Sequence, residues 1–172
     1  MKKISQIIIF SLLAIIFILI VSCKMSYSFR GTNIDPRILT FAVQNFNNRA
    51  PVVQARLSQN LTDALKDKIQ SQSSLKLVNG FADVEFSGDI TNYSNLPTAI
   101  TGQETAALNR FTISIKVKYI NTINPELSFD QTFSRFEDYS STQDLSAVED
   151  ELTKLILENL VEDIFNRAFV NW

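Results

Sequence analysis

The sequence predicts an α+β fold: a two-layer sandwich with two helices packed on one face of a mostly antiparallel sheet. Four segments alternate apolar and polar residues with the period of a half-buried strand, and two repeat apolar residues every three or four positions, as a one-sided helix does. Their order is strand, helix, several strands, helix. Strict alternation leaves one sheet face polar, which fits antiparallel pairing and differs from the near-continuous apolar strands of a parallel sheet. Both helices must then cover the same side.

The first strand is expected over Ile38 to Phe46, with Leu39, Phe41 and Val43 on one face and Thr40, Ala42 and Gln44 on the other. Pro51 is suited to open a helix, because its missing N–H would have no partner in the first turn. Val53, Leu57, Leu61, Ala64, Leu65 and Ile69 follow as an apolar stripe. Ser73-Ser74 ends this helix, Leu75 to Val78 makes a short strand, and Asn79-Gly80 supplies a turn. Asp83 to Tyr93 then sets Val84, Phe86, Gly88 and Ile90 against Asp83, Glu85, Ser87, Asp89 and Thr91. Arg110 to Tyr119 sets Phe111, Ile113, Ile115, Val117 and Tyr119 against Thr112, Ser114, Lys116 and Lys118. Leu127, Phe129 and Phe133 mark the last long strand, with Asn121 to Pro125 as the hairpin tip before it. The second helix is announced by Ser146 with Glu149 three residues on, the pattern of a capping box, and Asp150 and Glu151 favour the positive end of a helix. Leu152, Leu155, Ile156, Leu160, Ile164, Phe165 and Ala168 form its apolar side, and Asp163 can pair with Arg167 one turn on. Ser94 to Asn109 is left as a connecting loop.

The amino terminus carries a different message. Lys2 and Lys3 precede an apolar run from Ile7 to Val21, broken only by Ser11, and Ser22-Cys23 follows. That is the charged, apolar, small-residue order of an export signal, and the run is short of the roughly 17 to 25 residues of a spanning helix. Ile20-Val21-Ser22-Cys23 resembles the lipobox of bacterial lipoproteins, which implies cleavage of residues 1–22, acyl chains such as palmitate on Cys23, and a membrane-tethered protein. Residues 23–37, polar and turn-rich with Gly31 and Asp35-Pro36, then read as the lipidated terminus and tether, and 38–172 as a single domain.

Cleavage would remove two of the 16 cations and none of the 18 carboxylates, leaving a net charge of −4, which argues against nucleic acid as a partner. Cys23 is the only cysteine and there is no histidine, so most metal sites and triad-type catalysis are excluded, and no cofactor beyond the lipid is expected. With four glycines and no phosphate loop, serine motif or paired acids at a catalytic spacing, the chain is not expected to be an enzyme. Glu149, Asp150 and Glu151 are explained by a helix start. Lys116, Lys118 and Arg110 share the polar face of one strand and are the candidate contacts for anionic head groups or phosphates.

Several longer strings are more specific: Tyr-Ser-Phe-Arg-Gly at 27–31, Phe-Ser-Gly-Asp-Ile-Thr-Asn-Tyr at 86–93, Glu-Thr-Ala-Ala-Leu-Asn-Arg at 104–110, Leu-Ser-Ala-Val-Glu-Asp-Glu-Leu at 145–152, and Val-Glu-Asp-Ile-Phe-Asn-Arg-Ala-Phe-Val-Asn-Trp at 161–172. Together they resemble the LptE family of lipopolysaccharide-assembly lipoproteins, in its Bacteroidetes-type form. The resemblance implies an outer-membrane lipoprotein that plugs the LptD barrel, helps it assemble, and serves lipopolysaccharide delivery to the outer leaflet. Lys24 stands where an inner-membrane retention signal would have aspartate, which agrees with the outer membrane. In enteric members basic residues near a strand-loop end are implicated in lipopolysaccharide binding, whereas Asn121-Thr122-Ile123-Asn124-Pro125 has no positive charge, so that site does not carry over. The polar sheet face also suits the polar interior of a large barrel. A second reading of the same features is a lipoprotein adaptor or pilotin for another outer-membrane secretion pore, since fold alone does not fix function.

Overall fold

The computed structural model describes residues 34–52, 54–98 and 107–170. The export segment, Cys23, most of the tether, Tyr27 and Phe29, Val53 and the last two residues lie outside the described residues. Among the described residues six strands and two long helices follow in the order β1 (Thr40–Val43), β2 (Asn47–Asn48), α1 (Leu57–Gln72), β3 (Lys76–Leu77), β4 (Val84–Thr98), β5 (Leu108–Asn121), β6 (Phe129–Ser140) and α2 (Leu145–Phe169). The sheet runs β3-β1-β4-β5-β6, with β2 also paired to β4. It is an α+β fold with a mixed, open sheet. The long ladders β4–β5 and β5–β6 are antiparallel, while β1 pairs in parallel with both β3 and β4, and β2 with β4. Those parallel pairings are only two or three residues long, too short to show in an alternation pattern.

The covered face of the sheet is built from Phe41, Val84, Phe86, Ile90, Phe111, Ile113, Ile115 and Val117, all fully out of solvent. Leu57, Leu61, Leu65 and Ile69 of α1 fall at four-residue spacing and are equally buried, as are Ile156, Leu160 and Ile164 of α2. An aromatic cluster closes one end. Tyr119 stacks on Phe129 at 5.1 Å, meets Phe86 at 4.9 Å, and lies edge-on to Phe169 from the end of α2. Burial pushes the Tyr119 hydroxyl up to about 12, opposed by a hydrogen bond that it accepts from the Asn121 side-chain amide.

Several elements differ from their sequence pattern for local reasons. Ile90 pairs with Ile115 but Asn92 pairs with Ser114, so Thr91 is the extra residue of a β-bulge. Past it the phase of β4 reverses, Tyr93 becomes buried, and Ser94 to Thr98 continue as strand rather than loop. Gly88 is the one inward position of β4 without a side chain, and the Phe46 ring covers it. Leu39 is 64% exposed rather than on the buried face: both Leu39 and Thr40 give their N–H to the Asp83 carboxylate, which interrupts alternation before β1 begins.

Helix α1 starts at Leu57 and not at Pro51. The Asn48 side chain accepts from the Ala50 N–H and donates to the Gln54 carbonyl, two side-chain bonds that hold Ala50 and Gln54 to Asn48 and compete with helix. In α2 the N-cap is Asp144, without a side-chain cap, so Ser146 lies inside the helix and the capping box does not form. Glu149 instead accepts from the Tyr93 hydroxyl, whose pKa is raised by burial and by that carboxylate. Leu155 is exposed, off the buried stripe, and Asp163 does not meet Arg167. It accepts two hydrogen bonds of 2.6 Å from Arg135 on β6, and the Arg167 guanidinium lies over Phe129.

Candidate functional site

The helices leave the other face of β4, β5 and β6 open, and the residues expected to contact an anionic group lie on it. Its middle is hydroxyl-rich. The Ser114 and Ser134 hydroxyls are 2.9 Å apart, the Thr91 hydroxyl donates to the Ser114 carbonyl, and Thr112 and Thr132 complete the surface along the same ladders. Such a face is polar without concentrated charge, because Ser and Thr satisfy one another across the strands.

Lys116 and Lys118 are brought together at one end of this face, in a shallow cavity of ≈ 240 Å³ that Arg49, Asn47, Gly88, Asp89 and Asp130 also line. Arg49 Nε sits 3.1 Å from Asp89 Oδ1, which also accepts from Asn47 Nδ2, and Lys116 Nζ sits 3.2 Å from Asp130 Oδ2. Lys118 is exposed and makes no ion pair among the described residues. Three cations against two carboxylates leave a net positive charge, so an anion that displaces Asp130 or Asp89 would find two or three N–H donors, from β5 and from the residue after β2.

Arg110 is on the same face but in a different place. Six residues of strand separate it from Lys116, about 20 Å. Its Nε and Nη2 donate to the two carboxylate oxygens of Asp138, each at 2.8 Å, and its guanidinium lies 3.7 Å over the Phe136 ring. The paired hydrogen bonds raise the Arg110 pKa and lower that of Asp138, burial opposing in each case. Leu96, directly across from Arg110, is largely exposed, so this end is a charged pair set among apolar side chains. The row of three therefore divides into two sites. Arg49 had no signal in the alternation pattern, since it follows β2, whose parallel pairing to β4 beside the bulge could not be read from two residues.

A second concavity, ≈ 540 Å³, lies between α1 and α2, where Asp63, Asp67, Asp150 and Glu158 outnumber Arg56 and Lys154. Among the described residues no three acids come close enough to hold a metal ion, and no helix is long and apolar enough to cross a membrane.

The family model described as "Lipopolysaccharide-assembly" matches residues 38–168, from before β1 to the end of α2. The chain belongs to the LptE family. No curated protein sequence matches this chain. Solved structures similar to it include a minor lipoprotein from Acinetobacter baumannii, at 14% identity and a TM-score of 0.45, covering 74% of this chain and 90% of that one. The rare lipoprotein B of Shewanella oneidensis is 9% identical, with a TM-score of 0.49, covering 74% and 89%. Lipoprotein B of Nitrosomonas europaea is 16% identical, with a TM-score of 0.43, covering 74% and 79%. What the family match supplies is a role in lipopolysaccharide assembly.

Proposed function

We propose that the chain is a lipid-anchored outer-membrane protein that plugs the LptD barrel, assists its assembly, and takes part in delivering lipopolysaccharide to the outer leaflet, without enzymatic chemistry. Membership of the family supports the pathway. The observation that carries the plug reading is the open sheet face, a surface of hydroxyls and mostly paired charges. Such a surface is compatible with the polar lumen of a large barrel, whereas an apolar one would not be. The covered face, by contrast, holds the core and is not available to a partner.

Cys23 would hold the protein to the membrane, two or more acyl chains being enough for stable anchoring where one is marginal. Lys116 and Lys118, joined by Arg49, are the residues proposed to meet phosphate groups of lipopolysaccharide. Arg110, already paired to Asp138, is proposed as a secondary contact next to Leu96 and Phe136, where acyl or sugar portions could lie.

The experiment is depletion of the protein followed by a test of barrel assembly, together with a mild-detergent pull-down from outer membranes. LptD should be misassembled on depletion and should be captured with the protein. Normal barrel assembly, or capture of a different secretion pore in place of LptD, would overturn the proposal. Replacement of Cys23 by Ser should release the protein from membranes, and unchanged lipid labelling of that variant would remove the anchor.

A further inference from the structure

Three of the large apolar side chains exposed on this protein gather at one end of the sheet. Phe81 is 103% exposed, packed against none of the described residues, and Leu39 and Leu77, on neighbouring segments, are exposed as well. Backbone N–H hydrogen bonds tie their segments together. The Lys76 N–H donates to the Leu39 carbonyl, the Val78 N–H to the Phe41 carbonyl, and the Leu39 N–H to Asp83, two residues after Phe81. Gly80, at a φ of 110°, makes the turn that presents Phe81, a conformation side-chain-bearing residues rarely adopt. The spike is thus held on a defined backbone.

Asp35, Arg37 and Asp83 at this end are already engaged, while Glu126, on the adjoining β5–β6 connection, makes no ion pair among the described residues. Arg37 is locked to Asp35 by three side-chain hydrogen bonds, and the Asp83 carboxylate is occupied by the N–H groups of Leu39 and Thr40 and by the Thr40 hydroxyl. Lys76 remains, and its long stem can lie along apolar surface while its ammonium reaches polar surroundings. A phenylalanine with no neighbours has no preformed pocket mate. A fluid phase needs none, and Phe and Leu are among the side chains that interfacial segments bury at the headgroup boundary.

The described chain also begins here, at Ile34, one tight turn before Leu39. Ten residues lie between Cys23 and Ile34, eleven steps along the chain, a reach of about 36–40 Å if extended. We propose that this end of the sheet rests on the bilayer that holds the lipid, with Phe81 and Leu39 inserted in its interfacial layer. The proposal depends on the lipid-anchor reading of Cys23. Tethering holds the membrane at high effective concentration, so an insertion too weak to recruit the free domain is populated in the anchored one. The anchor together with this second contact fixes how the open face of the sheet is presented.

The test uses the full lipidated protein in phosphatidylcholine liposomes. Phe81→Trp is made in a Trp172→Phe background, so that residue 81 carries the only tryptophan. Its emission should shift to the blue and be quenched when the acyl chains are brominated, and the quenching should survive high salt. Leu155→Trp in the same background, on the outside of α2, should stay unquenched. If the protein floats with the liposomes but residue 81 emits as in water, the insertion is wrong and the anchor stands. If the protein does not float, the anchor itself fails and the proposal with it. Equal quenching at 155, or loss of quenching in high salt, would also overturn the specific contact, as would crosslinking of residue 81 to a barrel wall in place of lipid.

Discussion

On β5, Phe111, Ile113, Ile115, Val117 and Tyr119 are at most 1% exposed, while Thr112, Ser114, Lys116 and Lys118, interleaved with them, face away from both helices. The two sets share one backbone and one set of ladder hydrogen bonds, so what separates them is only which side of the pleat each side chain leaves from. On the inner side the helices convert apolar area into stability. On the outer side nothing within the chain requires a given residue, beyond strand propensity and pairing of its charges. Substitutions should therefore act on stability through one side and on partners through the other.

The largest effect is expected where packing is complete. Ile115→Ala, with its side chain fully buried at the centre of β5, should cost about 2–5 kcal/mol. Urea denaturation followed by circular dichroism measures this, and a loss below 1 kcal/mol would show that the helices collapse onto the site. Gly88→Ala is next. A Cβ there would overlap the Lys116 carbonyl oxygen and crowd the Phe46 ring, and the first obstacle is backbone, so β4 and β5 must part locally. A cost of about 1–3 kcal/mol is expected from the same melt, and a neutral outcome would mean that the ladder yields freely at this point.

These two positions show why part of the fold was legible and part was not. Ile115 could be assigned to the core from period two alone, because long antiparallel strands repeat the same environment many times. Gly88 fits the same alternation, but the ring that fills its place comes from Phe46, 42 positions away, and no local pattern carries that. The start of α1 was hidden likewise: Pro51 is a good first helical residue, yet Asn48 closes a competing turn through its side chain. On the open face, parity placed Lys116, Lys118 and Arg110 on one side, but parity gives no distance along the strand. The separation of Arg110 and the arrival of Arg49 are consequences of register and of a two-residue parallel strand.

The outer side should behave in the opposite way. The double variant Lys116→Glu/Lys118→Glu removes one exposed ion pair, and surface changes of this kind stay within about 0.5 kcal/mol each. Binding of lipopolysaccharide, measured by titration against the detergent-solubilised protein, should fall, and Arg49→Glu should lower it further. Intact binding in the double variant would remove this cavity from the proposed function. A melt displaced as far as that of Ile115→Ala would break the separation of the two sides.

The smallest effect sharpens the contrast further, because it assigns to the open face a share of stability that depends on pH. Asp138 is held below the usual carboxylate range chiefly by its hydrogen bonds from Arg110, with burial acting against this. A carboxyl whose folded pKa lies below its unfolded value adds stability that is fully present above the unfolded pKa, about 3.9, and is lost as pH falls through the folded one. Asp138→Asn should therefore lower the melting temperature slightly at pH 7, by less than Gly88→Ala does. The difference from the parent should begin to close as the pH falls below about 4, where the unfolded chain's carboxylate takes up its proton, and should vanish once the pH is below the lowered folded value. Asp83 is lowered too, by the N–H of Leu39 and then by the hydroxyl and N–H of Thr40, but it is untouched in this variant and cancels from the comparison. A gap that stays constant from pH 7 to pH 3 would show that Asp138 contributes by shape beside Arg110 and Phe136 rather than by charge, and the open face would then be packed as well as paired.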